Sequence, residues 1–168
     1  MAGLDALNGD PETARQNLRQ CCGSERWVKE MMLERPFRDL EHVYQVASKV
    51  WKHLGHQDWL EAFSHHPRIG QIVEKGAASD RERSWAKQEQ AGTVQADASV
   101  RAALAQGNRE YEAKFGHLYL ISATGKSGAE LLALQGARLK NSREIELAIA
   151  AGEQEKITRI RLEKLLSS

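Results

Sequence analysis

A histidine in a punctuated loop, a carboxylate beside an amide, and a guanidinium in an apolar helix are the groups in this sequence best suited to chemistry. His66 lies in the run Ser64-His65-His66-Pro67-Arg68-Ile69-Gly70-Gln71, after the apolar-aromatic segment Trp59–Phe63. Pro67 disfavours the helical region for His66, and Gly70 permits a sharp exit that a β-carbon would resist. The imidazole is therefore expected on a fixed, non-helical backbone just past a helix end, where it can be aimed into a cavity. A free imidazole titrates near pH ~6.5, so it can give or take a proton under cellular conditions. The same residues also suit a surface loop with two solvated histidines, because loop punctuation is commoner than catalysis.

Glu89-Gln90 places a carboxylate next to an amide, a pair able to orient a histidine and hydrogen-bond a polar heterocycle. An isolated pair of this kind is more often a solvated helix face. Arg161, in Ile160-Arg161-Leu162, requires an anionic partner, either a structural carboxylate or a substrate carboxylate. Metal ligation by His53, His56 and His65 with Asp58 is weakly patterned. There is no His-Glu-x-x-His or Cys-x-x-Cys element, and Gly55 interrupts the helix that would carry His53 and His56 on one face. Gly125-Lys126-Ser127 lacks the upstream glycine of a phosphate loop and reads as a helix start, and no Gly-x-Ser-x-Gly occurs.

The elements that must position these groups are helices. Asp10-Pro11 opens one that stops at Gly23, and Ser24 restarts it until Pro36. Asp39 begins a helix with the stripe Val43, Val46, Ala47, Val50 and Leu54, closed by Gly55, and a short helix covers Asp58–Phe63. Glu74–Ala78 reads as loose and polar. Ser79 with Glu82, and Ser127 with Glu130, form capping boxes for two helices. Asp97 caps another that ends at Gly116 and carries Gly107, which weakens it by ~1 kcal/mol relative to Ala. Ser142 opens the last helix, with Ile145, Ala148, Ile149, Ile157, Ile160 and Leu165 expected inward. Leu118–Ala123 is the only strand-like run, and with no partner it is expected to be a buried extended segment. The pattern describes an all-α bundle of about eight helices, a single domain over residues 1–168.

Composition limits the function classes. The 168 residues are 41% hydrophobic and 28% charged, with a net charge of +1 and no basic run. A nucleic-acid partner recognised through its phosphates would require a basic face. No apolar run approaches the ~20 residues of a membrane span. Met1–Asp5 lacks a secretory pattern and Leu165–Ser168 lacks a peroxisomal Ser-Lys-Leu ending. Cys21 and Cys22 are adjacent and have no other cysteine to pair with. A reduced, cytoplasmic protein is expected.

In order and spacing, several short elements resemble one family across nearly the whole chain. They are Cys21-Cys22-Gly23-Ser24 with Trp27, Arg35-Pro36-Phe37, Asp58-Trp59-Leu60, His66-Pro67-Arg68-Ile69-Gly70, Trp85 with Glu89-Gln90, Lys114-Phe115-Gly116, Arg138-Leu139-Lys140-Asn141 and Ile160-Arg161-Leu162. The family is that of 2-oxo-4-hydroxy-4-carboxy-5-ureidoimidazoline decarboxylases, enzymes of urate degradation. The resemblance implies an all-helical, cofactor-free and metal-free enzyme, commonly a homodimer, that releases CO2 to yield (S)-allantoin.

Carried over by motif, His66 and Glu89 are the implied catalytic residues, Pro67 and Gln90 line the substrate, and Arg161 binds its anion. Leu118, Tyr119, Leu120, Ile121 and Ser122 match the segment whose backbone meets the substrate ring. Ala86 occupies a substrate-contact position where relatives often carry serine, so one hydrogen bond is lost or supplied by Ser84 or water. Two rival classes are a metal-dependent hydrolase built on His53, His56 and His65, and a non-enzymatic helical module that binds a partner helix through its apolar stripes.

Overall fold

The computed structural model describes residues 2–71 and 79–167. Among them are ten helices and no strand, as the all-α expectation requires. The expected polar stretch Glu74–Ala78 lies outside the described residues. Two compact units are formed, Met1–His65 with Gln154–Ser168, and His66–Glu153.

The first unit holds α1 (Ala2–Asn8), α2 (Pro11–Cys21), α3 (Glu25–Leu33), α4 (Leu40–His53), α5 (His56–Ser64) and the last part of α10 (Arg143–Leu166). Its helix starts follow from short polar side chains that accept otherwise unpaired backbone N–H groups. Asp10 accepts from Thr13, Ser24 from Trp27 and Asp39 from His42. α5 begins two residues earlier than expected, because the Asp58 carboxylate accepts the Gly55 N–H at 3.2 Å and so caps from inside the first turn. α2 packs on α1 and α3, and α3 on α4 and α5. The core contains Leu7, Leu18, Trp27, Met31, Val43, Phe63 and Leu162, and the Trp27 indole donates to Ala47 O at 3.2 Å. Cys21 and Cys22 are both buried and form no disulfide bond.

The second unit holds α6 (Asp80–Glu89), the four-residue α7 (Ala91–Val94), α8 (Ala98–Phe115), α9 (Gly128–Arg138) and the start of α10. Both expected capping boxes are present, and Gly116 ends α8 with a left-handed φ of 78°. Ile69, Leu104, Tyr111, Phe115, Tyr119, Ile121 and Leu131 form one buried cluster. α8 and α9 pack together where α8 has no side chain. A Cβ on Gly107 would overlap the Gln135 amide, which is itself held by Leu104 O and Asn108 Oδ1. Gly107 is thus a packing requirement of the pair, although within α8 alone it reads as a weakness.

The inward face expected of α10 is corrected by the structure. Ile145 and Ile149 are 55% and 37% exposed and Ala148 is exposed, whereas Glu146, Ala150 and Glu153 are buried. The helix is turned so that two carboxylates reach buried polar partners, and those pairings outweigh the area that two isoleucines would bury. Ile157 and Leu165 are buried as expected, and Ile160 is half-buried.

Two measurements test this packing. Gly107→Ala in an exposed helix would add roughly 1 kcal/mol of stability, but overpacking at a closed helix contact typically costs ~1–3 kcal/mol. Thermal unfolding should show a net loss. Burial raises the Cys22 thiol from 9.0 to about 12, against the opposing pull of Ser24, Thr158 and Arg161. Below pH 9.0 the thiol is protonated in folded and unfolded chains alike. Above it the unfolded chain releases the proton first, so stability falls as pH rises towards the folded value. Denaturant titrations between about pH 8.5 and 10 should give a slope approaching ~1.4 kcal/mol per pH unit from this group, and Cys22→Ala should remove that component.

Candidate functional site

The loop bearing His66 is immobilised by side chains of the second unit. α5 ends at Ser64, and His66 and Pro67 follow half-buried on non-helical backbone, as Pro67 demands. Gly70 turns the chain with φ +88°, a conformation that disfavours a β-carbon. Asn108 Nδ2 donates to Ile69 O at 2.9 Å, and Gly70 N donates to Gln90 Oε1 at 3.0 Å. Arg68 forks onto Glu112, with Nε 3.0 Å from Oε2 and Nη2 2.9 Å from Oε1. The Arg68 side chain is 48% exposed, so the fork adds little stability, and its contribution is to orientation. Asn108 is fixed in turn by Gln135 Nε2 at 2.8 Å, so a chain of buried amides runs from α9 through α8 to the loop.

α6 supplies the carboxylate, and its C-cap residue the amide. Trp85, Ala86, Glu89 and Gln90 are buried while Arg81, Ser84, Lys87 and Gln88 are exposed, so one face of the helix turns inward. Because Gln90 Oε1 accepts from Gly70, its NH2 group is directed elsewhere as a donor. Gly70, Ser84, Ala86, Gln90, Thr93 and Arg101 are among the residues lining a cavity of about 600 Å³. The described lining includes neither His66 nor Glu89. Ser84 and Ala86 both line this cavity.

The segment Leu118–Ala123 is neither helix nor ladder, and all of it except Leu118 is buried. Side chains hold part of its backbone. Arg138 Nη1 donates to Leu120 O at 2.6 Å, Ser122 N donates to Glu153 Oε1 at 3.2 Å, and Lys126 Nζ donates to Ser122 O at 3.0 Å. The Tyr119 hydroxyl donates to Leu131 O at 3.0 Å. Within a trans peptide the C=O and N–H point in opposite directions. Ile121 N–H therefore points away from Arg138, and Ile121 C=O points away from Glu153. Both groups lie on the edge opposite these two side chains, where a partner can meet them.

Arg138 is held as firmly as it holds. Its Nε donates to Glu146 Oε1 at 2.6 Å, the Tyr111 hydroxyl donates to the same oxygen at 2.6 Å, and Asn141 Nδ2 donates to Glu146 Oε2 at 3.1 Å. The guanidinium carbon lies 4.9 Å from the Tyr119 ring centroid. Burial opposes the Arg138 charge, but the Glu146 carboxylate outweighs it and raises the guanidinium further above its ordinary value. Burial, followed by the bond to Glu146, pushes the Tyr111 phenol well up and keeps it a neutral donor. Sequence reasoning assigned no role to Arg138, Glu146, Glu153, Asn108 or Gln135. Arg138 did stand in a recognised motif, whereas α10 carries charged residues along its whole length, so Glu146 and Glu153 gave no local signal.

Arg161 belongs to the first unit. It is 7% exposed, and its Nη1 donates to Gln20 O at 3.1 Å. His65 also belongs to that unit, its ring lying where a Cβ on Gly23 would go. His53 Nδ1 is 2.7 Å from Lys49 O and the His56 ring lies 5.4 Å from that of Trp59. Among the described residues no three or more His, Cys, Asp or Glu side chains gather as metal ligands would. The described residues also include no helix long and apolar enough to cross a membrane.

Comparison with known proteins places this architecture. Residues 8–163 match the family model for OHCU decarboxylase. The chain is 35% identical over 156 residues to the uric acid degradation bifunctional protein TTL of Arabidopsis thaliana, covering 93% of this chain and 48% of that protein. It is 31% identical over 142 residues to the 2-oxo-4-hydroxy-4-carboxy-5-ureidoimidazoline decarboxylase of Mus musculus, covering 80% and 75%. The bifunctional protein PucL of Bacillus subtilis is 25% identical, with 33% of its length covered, so the chain spans half or less of the two bifunctional relatives. A crystal structure of OHCU decarboxylase in the presence of (S)-allantoin superposes with a TM-score of 0.77 at 34% identity, covering 95% of this chain and 100% of that one. With the match running through both units, this chain belongs to the OHCU decarboxylase family.

Proposed function

We propose that this chain is a carboxy-lyase that converts 2-oxo-4-hydroxy-4-carboxy-5-ureidoimidazoline to (S)-allantoin and CO2 without a cofactor. One observation supports it above the others. In a chain of this family, Gln90, next to Glu89, hydrogen-bonds the backbone of the loop that carries His66, so the implied acid, amide and imidazole are mechanically linked. The relative crystallised in the presence of (S)-allantoin supports the same chemistry.

The reaction explains why these groups suffice. The bond from the quaternary carbon to its carboxylate breaks and CO2 leaves. The electron pair passes into the adjoining imine and carbonyl system, and a proton is then delivered to that carbon. The substrate carries its own electron sink. The protein has to hold the carboxylate out of the ring plane, stabilise charge in the ring and protonate one face. Positioning and preorganised dipoles supply most of the acceleration.

In this proposal Arg161 and backbone donors hold the anion, and the Gln90 NH2 reads ring or ureido amides. Pro67 lines the substrate, Ala86 lies beside it, and the backbone of Leu118–Ser122 meets the ring. His66, oriented by Glu89, manages the proton on the C4 hydroxyl or the new carbon. We take residues 1–168 as one functional domain acting in the cytoplasm as a homodimer. Buried cysteines outside any disulfide fit a reducing compartment, and exposed Ile145 and Ile149, one helical turn apart, give a second copy apolar surface to cover.

His66→Ala should keep its helical circular dichroism but lose stereospecific product, leaving allantoin formed at the uncatalysed rate and without optical activity. Near-parental turnover would remove His66 from the mechanism. Arg161→Lys retains the charge but not the planar fork, so the Michaelis constant should rise about tenfold or more, the loss of one charge-assisted hydrogen bond. Unchanged steady-state constants would assign Arg161 to structure alone.

A further inference from the structure

We propose that Arg138 and Glu153 are positioning residues for this reaction: they grip the two peptide groups that flank Ile121, aiming and polarising its N–H and C=O towards the substrate. The inference rests on the decarboxylase assignment above. Leu120 C=O and Ile121 N–H are the two ends of one peptide group, and Ile121 C=O and Ser122 N–H are the two ends of the next. The Arg138 guanidinium draws electron density through the first at a 2.6 Å contact, which makes Ile121 N–H a stronger donor. The Glu153 carboxylate accepts from the second at 3.2 Å, which makes Ile121 C=O a stronger acceptor.

A donor and an acceptor from one residue, presented on a single edge, match the –CO–NH– edge of a cyclic amide or ureide. The clamp is rigid because Arg138 is locked by Glu146 and stacked on Tyr119, and because Lys126 holds the Ser122 C=O beyond it. No side chain of the segment has to touch the substrate, so Leu120, Ile121 and Ser122 act through the backbone while their side chains remain buried.

The test is a pair of substitutions at Glu153, since removing Arg138 would strand Glu146 and threaten the fold. Glu153→Leu keeps volume and burial but leaves the Ser122 N–H without its acceptor. Glu153→Gln keeps an acceptor oxygen at reduced strength. Amide hydrogen exchange, the thermal midpoint, and kcat and KM for the ureidoimidazoline are measured for both variants and the parent.

The expected result for Glu153→Leu is faster exchange confined to residues 120–123, a midpoint lowered by the loss of one buried hydrogen bond but still a single cooperative transition, and kcat/KM lower by about tenfold or more, with Glu153→Gln recovering most of it. Unchanged kcat/KM in a Glu153→Leu chain whose segment has loosened overturns the clamp, as does a segment that does not loosen. Loss of activity that Glu153→Gln fails to recover also overturns it. An inactive parent overturns the decarboxylase assignment together with the clamp, whereas an active parent with indifferent variants overturns the clamp alone.

Discussion

Arg138 and Glu146 are both buried, and neither can leave the other without stranding a charge in a medium that solvates it poorly. Breaking such a pair from one side typically costs about 3–5 kcal/mol. The second unit is arranged to avoid that outcome. Tyr111 and Asn141 occupy the remaining lone pairs of the carboxylate, two tyrosine rings face the guanidinium, and its spare N–H is spent on a backbone carbonyl. Few other backbone segments between helices could be buried at this depth, because peptide groups out of reach of water need partners. Leu118–Ala123 finds them in side chains where a strand would find a neighbour.

The same logic governs the loop after α5. Ile69 and Gly70 are held through a carbonyl and an N–H by Asn108 and Gln90, with Gln135 supporting Asn108 from α9. Amides suit this work because each carries a donor and an acceptor and needs no compensating charge. The backbone just beyond the histidine is thereby fixed without introducing a second charge. The arrangement joins a stiff scaffold to a half-buried imidazole.

Local chemistry was legible in the sequence wherever a few adjacent residues decide it. Asp10, Ser24, Asp39, Ser79, Asp97 and Ser127 begin helices by accepting an N–H three residues on, and Gly70 and Gly116 take the positive φ that other residues avoid. The burial of the apolar run from Tyr119 to Ala123 was equally plain from its composition. The short helices α1 and α7 were not legible. α1 has Leu4 and Leu7 but no polar cap ahead of it, and α7 is a four-residue extension past the α6 cap at Gln90. The rotation of α10 was misread because periodicity counts apolar residues and gives no weight to an acid whose partners lie on other helices.

By itself the sequence determined the helical class, the helix starts and stops, the non-helical setting of His66 and the family, because each depends on neighbours a few residues apart or on short motifs in a fixed order. Tertiary structure alone decided that Gly107 is a contact and that Gln90 faces Gly70. It also decided that Glu146 and Glu153 turn inward while Ile145 and Ile149 do not. Those outcomes depend on buried donors finding acceptors far along the chain, and no local pattern carries that pairing.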